Sequence, residues 1–394
     1  MQTTLYGIDH FLKNHFSVQK NKRWGLVTND ASMTSRFVPV RKALLDAGIQ
    51  LTILFSPEHG LNASGVDGAA MPNRKDTLTG LDVISLYGDT IRPTPSVLAD
   101  LDGILFDLLD VGVRFYTYIW TLSHIMEACE ATGTPLVILD RPNPISGQLA
   151  LSEGPMLCEE ILSSFIGRWR MPIRHSLTIG ELALYFKHVR QMPNLDLSVI
   201  PVQNWHRRQF FYELNMPFVP SSPAISSVET LLTYPALCFL EGINVSEGRG
   251  TGFPFRIVGA PWINGIKLSE AFNEMDFPGV KSRPFSFIPT EGMYKNLRCF
   301  GIMLHVTDTQ CFHPVKVGLG LVALIKILFP NDFEWATYPT HVNKTGKNHF
   351  DLLTGNPSVR TTLEYDPVVF LKTCSEFTKL DGWATEVNAF LLYE

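Results

Sequence analysis

Short apolar runs that stop abruptly at charged residues constrain this chain more than any other feature. LTILF at 51–55 discharges into Ser56, Pro57, Glu58 and His59; GILF at 103–106 runs into Asp107 and Asp110; LVIL at 136–139 runs into Asp140, Arg141 and Asn143. Runs of this length read as strands buried on both faces, as in a parallel sheet. Further strand candidates at 24–28, 83–86 and 197–202 alternate with helical patterns at 38–47, 121–131 and 179–190. Gly48 and Gly133 close two of those helices, and Thr178 with Glu181 has the spacing of a capping box at the start of the third. Alternation of this kind predicts an α/β protein with helices on both faces of a parallel sheet. Ligands bind at the carboxyl ends of the strands in such sheets, so the acidic ends are expected to meet over an apolar floor.

The chain has 394 residues, more than one hydrophobic core usually supports, which predicts two domains. The first is expected over 1–202. A smaller one follows over 203–394, where aromatic and proline-rich stretches replace the clean alternation until a strand-like run at 299–306. Helices are expected there near 317–328, 367–377 and 383–392. A net charge of −5 and the lack of any Lys/Arg block argue against nucleic acid as a partner. The longest apolar run, 318–329, is broken by Lys326 and falls short of the roughly 20 residues of a membrane span, so it reads as a core helix. MQTTLYGIDHFLKNHF at the start has no basic segment leading into an apolar one. The expectation is therefore a cytoplasmic protein, or a periplasmic or secreted one if a leader has been removed. Six scattered cysteines without C-x-x-C spacing predict free thiols.

No cofactor motif stands out. Asn29, Asp30, Ala31 and Ser32 follow the first strand where a dinucleotide fold would carry G-x-G-x-x-G, which disfavours NAD and FAD. SEGRGTG at 246–252 lacks the Lys-Ser/Thr of a phosphate loop and reads as a tight turn presenting Glu247 and Arg249. No spacing suggests a metal site or an esterase triad. Glu58 and His59 offer a general acid/base pair, since a carboxyl against apolar walls titrates nearer neutrality. Asp107 and Asp110 are separated by two residues, unlike the D-x-D of haloacid-dehalogenase phosphatases, and Asp110 could equally cap a helix. Arg114, Tyr116 and Tyr118, within RFYTYIW, suit sugar recognition by stacking and hydrogen bonding, with core packing as the competing reading. Glu241, Asn244, Glu247 and Arg249 fall within nine positions, a density that suits a polar ligand or a solvated loop.

Several phrases occur together in order: SPEHG (56–60), FDLLDVGVRFYTYIWTL (106–122), LDRPNPISG (139–147), SEGPML (152–157), MPIRHSLTIGELA (171–183), LEGINVSEGRGTGFPF (240–255) and FDLLTG (350–355). Together they resemble the exo-β-N-acetylmuramidase family typified by NamZ, formerly the domain of unknown function DUF1343. The resemblance implies a Rossmann-like parallel-sheet domain followed by a smaller α/β domain, with the cleft between them. It also implies a glycoside hydrolase that releases N-acetylmuramic acid from the non-reducing end of peptidoglycan fragments, without metal or organic cofactor. The expected substrate is a small saccharide, either a muropeptide or the MurNAc-GlcNAc disaccharide.

Glycoside cleavage needs a proton for the leaving oxygen and a group that supports an oxocarbenium-like transition state. Glu58 is the expected acid. Its partner is left open among Asp107, Glu247 and the substrate's own N-acetyl group. Arg114 or Arg249 is expected to grip the lactyl carboxylate, and His59, Tyr116 and Tyr118 to place the ring. Asp110, Asn143, Glu241 and Asn244 complete the candidate binding set. Two other classes fit the same residues: a saccharide-binding protein without turnover, and a phosphatase or nucleotide-sugar enzyme on a similar sheet.

Overall fold

The structure, a computed structural model, describes residues 3–14 and 21–394; parts of the amino-terminal segment read above, including His15 and Phe16, lie outside them. The first half builds one sheet from β1 (Arg23–Val27), β2 (Gln50–Ser56), β3 (Arg74–Lys75), β4 (Asp82–Ser85), β5 (Gly103–Phe106), β6 (Leu136–Leu139) and β7 (Leu197–Ile200). Their spatial order is β3-β4-β2-β1-β5-β6-β7. Every neighbouring pair is parallel except β3 with β4. Without the two-residue β3, this is the doubly wound order in which the chain winds outward from β1 and then returns to its other side. The return makes the β1/β5 junction the switch point, where the loops after β1, β2 and β5 part and leave a crevice.

Burial explains why these segments are strands. β5 and β6 are buried at every residue, because apolar cores cover both faces. One cluster includes Val27, Phe55, Ile104 and Phe106, and the other includes Trp24, Leu26, Leu54 and Leu105, so alternate residues of one strand feed opposite cores. The helix Ile179–Val189 opens with the predicted capping box, Thr178 accepting from the Glu181 N–H while Glu181 accepts in return.

The second half carries an antiparallel sheet of β8 (Ile257–Ala260), β9 (Val280–Phe287) and β10 (Cys299–Val306), in the order β8-β10-β9. The expected core helix is present over Pro314–Leu328 and packs on helix Val228–Leu237. Gly318 allows that approach, since a Cβ there would stand 2.2 Å from the Ala236 carbonyl oxygen. The expected terminal helix is shorter, with an α-helical Trp383–Val387 and a 3-10 turn at Asn388–Phe390. The six cysteines are free. Among the described residues no helix is long and apolar enough to cross a membrane.

One side chain ties the two halves. Arg114 is fully buried and donates to the carbonyls of Pro155 and Met171 through Nη1, at 2.8 and 3.0 Å, and to those of Leu353 and Thr354 through Nη2, at 2.9 and 2.8 Å. The latter carbonyls end the helix His349–Thr354, so the guanidinium supplies donors that helix lacks at its last turn. Burial pushes Arg114 down to about 9. The expectation that it grips a substrate carboxylate is corrected here, because both amino groups are spent on carbonyls and the side chain is fully buried. Arg114→Met, which keeps the volume but leaves four buried carbonyls without this donor, is expected to cost about 3 kcal/mol or more of stability, read as a lower urea midpoint. A midpoint equal to wild type would contradict the clamp.

Candidate active site

The loop after β2 turns sharply, with the Gly60 N–H donating to the Pro57 carbonyl at 3.0 Å and both His59 (φ 66°) and Gly60 (φ 72°) in the left-handed region. That turn carries Glu58 to the switch point and folds residues 64–68 back over it. Glu58 is 6% exposed. Its Oε1 accepts from the Gly68 N–H at 3.0 Å and its Oε2 from the Thr117 hydroxyl at 2.7 Å. Thr117 precedes helix Tyr118–Thr132 but gives that helix no side-chain cap, its hydroxyl being turned to Glu58.

The other wall comes from the second half. Arg249 sits on the glycine-rich turn, flanked by Gly248 and Gly250 at φ 89° and 71°. Its Nη2 lies 2.8 Å from Glu241 and 3.3 Å from Asp67, and its Nε 3.2 Å from Glu247. The guanidinium rests on the Phe255 ring, 4.9 Å from the centroid. Glu241 meets His349 Nε2 at 3.0 Å through its other oxygen. Tyr338 stacks on His349 and donates to Asp67 Oδ2 at 2.7 Å.

These groups line a narrow recess of about 60 Å³, walled by Glu58, His59, Asp67, Tyr116, Thr117, Tyr234, Glu241, Arg249 and Tyr338 among others. It opens into a chamber of about 650 Å³ that shares His59, Asp67, Arg249 and Tyr338 with it and is completed by the backbone-rich turns at 64–66, 250–252 and 290–292. Burial, reinforced by the negative charge of Asp67, pushes Glu58 up and keeps its carboxyl protonated beyond the usual range, against the opposing pull of His59, Thr117 and Gly68. Burial also works against the charge of Asp67, but Arg249, then His59 and the Tyr338 hydroxyl, outweigh it and hold that carboxyl below its ordinary value. Two carboxylates with titrations pushed apart are the arrangement that separates an acid from a base. Glu247 is pushed up to about 7, chiefly by burial.

Of the residues expected at the site, Glu58, His59, Tyr116, Glu241 and Arg249 meet at this recess. Tyr118 stands behind it, donating to the Ser221 carbonyl at 2.6 Å while accepting from Asn29 at 2.9 Å. Glu247 backs Arg249 without lining either space. The other expected members are placed elsewhere by specific contacts. Asp107 is sealed against Arg141. Asp110 caps the Gly112 N–H at 2.8 Å and pairs with His175 at 3.2 Å. Asn143 bridges the Leu177 carbonyl and the Ile145 N–H, and Asn244 the Asp332 carbonyl and the Glu334 N–H, so both amides fasten loops. The sequence reading missed Asp67, Thr117, Tyr338 and His349. Thr117 lay inside a motif that had been singled out and His349 directly preceded another, whereas Asp67 and Tyr338 belonged to none.

Glu58, His59 and Asp67 each offer one atom within 4.8 Å of the others, close enough to share a cation. Both Glu58 oxygens already accept hydrogen bonds, however, and Arg249 supplies positive charge beside Asp67, so a metal ion would compete with the guanidinium.

Family models described as exo-beta-N-acetylmuramidase NamZ match here, the N-terminal one over residues 24–229 and the C-terminal one over 232–393. The chain belongs to the NamZ family. Peptidoglycan beta-N-acetylmuramidase NamZ of Bacillus subtilis (strain 168) is 40% identical over 380 residues, covering 95% of this chain and 89% of that protein. Two crystal structures of DUF1343 family proteins from Bacteroides fragilis NCTC 9343 superpose with TM-scores of 0.84 and 0.76. Each is 27% identical, and the match covers 100% of this chain and 99% of theirs. The NamZ-family assignment makes this chain a glycoside hydrolase and the recess its candidate active site.

The Thr117 hydrogen bond favours the ionised form of Glu58. Thr117→Val is therefore expected to move the alkaline limb of the kcat/KM–pH profile to higher pH, since that limb follows loss of the acid's proton. A limb displaced to lower pH would contradict the assignment.

Proposed function

We propose that this chain removes N-acetylmuramic acid from the non-reducing end of peptidoglycan-derived saccharides, with Glu58 as the general acid. The observation that carries the reading is a carboxyl buried in a narrow recess beside a wider chamber, where burial favours its protonated form. The 40% identity to a peptidoglycan beta-N-acetylmuramidase supports the reaction class. The taper supports the exo mode: the recess ends the cleft and admits only a substituent of a terminal sugar, whereas the chamber has the volume for its ring.

The chemistry follows from the placement. Glu58 gives its proton to the glycosidic oxygen as the bond to the anomeric carbon breaks, and the low-dielectric recess strengthens every charge interaction with the developing cation. His59, fixed by its Nδ1 contact with the Gly65 carbonyl at 2.9 Å, and Tyr116, fixed by donation to Ser221 at 2.7 Å, are placed to orient the ring. Of the two arginines expected to read the lactyl carboxylate, Arg249 is the one that lines the cavity.

The test is release of N-acetylmuramic acid from 4-nitrophenyl β-N-acetylmuramide and from the MurNAc-GlcNAc disaccharide. Wild type is expected to turn both over. Glu58→Gln, which preserves shape without the titrating proton, is expected to lose about 10²-fold or more on the disaccharide, whose leaving group needs protonation. Activity within a factor of two of wild type would remove Glu58 from the role.

A further inference from the structure

Protonation of the leaving group is half of glycoside hydrolysis; the other half is a group that meets the anomeric carbon. Four acidic side chains other than Glu58 are near enough to the loops of the site to be weighed. Asp107 is sealed against Arg141. Glu247 stands behind Arg249 and lines neither the recess nor the chamber. Glu241 has one oxygen on Arg249 and the other on His349, and it is 8% exposed. Asp67 lines both spaces, and its side chain is 27% exposed. Its Oδ2 takes the Tyr338 hydroxyl, while its Oδ1 has only the longer contacts with Arg249, at 3.3 Å, and His59, at 4.0 Å.

The spacing to Glu58 is the second observation. The two carboxyl groups approach within 4.8 Å. Retaining glycosidases hold their pair roughly 5–5.5 Å apart, whereas inverting ones need roughly 6.5–9.5 Å to admit a water between carboxylate and sugar. A closest approach within 4.8 Å falls on the retaining side of that divide. We propose that Asp67 is the catalytic nucleophile of this site and that hydrolysis proceeds with net retention at the anomeric carbon. The proposal rests on the reading of Glu58 as the acid.

The steps balance as follows. In the first, the bond from C1 to the glycosidic oxygen breaks, its electron pair leaves with that oxygen, and the oxygen takes the Glu58 proton. A carboxylate oxygen of Asp67 closes on C1 from the opposite face, giving an α-linked glycosyl ester. In the second, a water gives a proton to the Glu58 carboxylate and bonds to C1 from the original face. The ester bond breaks, its pair returns to Asp67, and the sugar departs as the β-anomer. Arg249 and Tyr338 serve both steps by stabilising the carboxylate that attacks and is later expelled. Residue 68 connects the two groups, since its N–H grips Glu58 while its neighbour is the nucleophile.

The experiment uses the whole chain. Proton NMR during early turnover of the 4-nitrophenyl β-muramide is expected to show β-N-acetylmuramic acid first. Asp67→Ala is expected to lose at least about 10²-fold in kcat, and sodium azide to restore turnover with formation of the α-muramyl azide, a product that a purely structural role for Asp67 could not yield. Should that variant fail to fold, wild type treated with 5-fluoro-β-muramyl fluoride is expected to carry the sugar on the peptide containing Asp67, read by mass spectrometry. An α-anomer as first product would overturn the proposal. So would Asp67→Ala activity within a factor of two of wild type, a label on another residue, or an azide-insensitive variant whose muramide substrates slow steeply when the acetamide is fluorinated. That last pattern would hand the attack to the acetamide. Retained activity in Glu58→Gln, or no muramic acid released by wild type, would instead fail the underlying reading.

Discussion

The Arg249 guanidinium, held among Asp67, Glu241 and Glu247, is the interaction on which the site depends. It comes from the second half of the chain, yet it fixes the charge of a residue from the loop after β2. Asp67 stays ionised because Arg249 is beside it, and Glu58 is pushed toward its protonated form by burial and by that same Asp67 charge. The difference between the two carboxyls is thus a property of the assembled halves. Neither half alone would produce it, which gives the Arg114 clamp a functional consequence. By tying the end of helix His349–Thr354 to the carbonyls of Pro155 and Met171, the clamp also fixes His349, which meets Glu241.

The architecture places the candidate site where other doubly wound proteins bind nucleotides. The ordinary phosphate-binding turn after β1 is absent. Asn29 there uses its amide on Tyr118 and its oxygen on the Ala31 N–H, so the loop is closed by side-chain hydrogen bonds. The polar groups that occupy the crevice come from the loops after β2 and β5, and the second half roofs them over.

The sheet was legible because its strands are short apolar runs with polar ends, and the same signal located Glu58 and His59. β8 and β9 escaped, since IVGA is too short to signal and VKSRPFSF carries charges and a proline that an edge strand tolerates. Arg114 misled for a physical reason: a charged residue among aromatics suggests a ligand, whereas here it answers the unpaired carbonyls of a helix end. Asp67 gave no local sign. It lies in an irregular loop, and the groups that define it, Arg249 and Tyr338, are brought to it only by the meeting of the two halves.

The most direct measurement is a crystal structure with N-acetylmuramic acid bound. The account predicts the sugar in the chamber at the mouth of the recess, with its anomeric carbon between Glu58 and Asp67 and each carboxyl about 3–3.5 Å from the reacting atoms. A sugar seated elsewhere, such as the exposed aromatic groove of Trp262 and Phe300 on the smaller sheet, or one whose anomeric carbon lies beyond reach of both carboxyls, would contradict it.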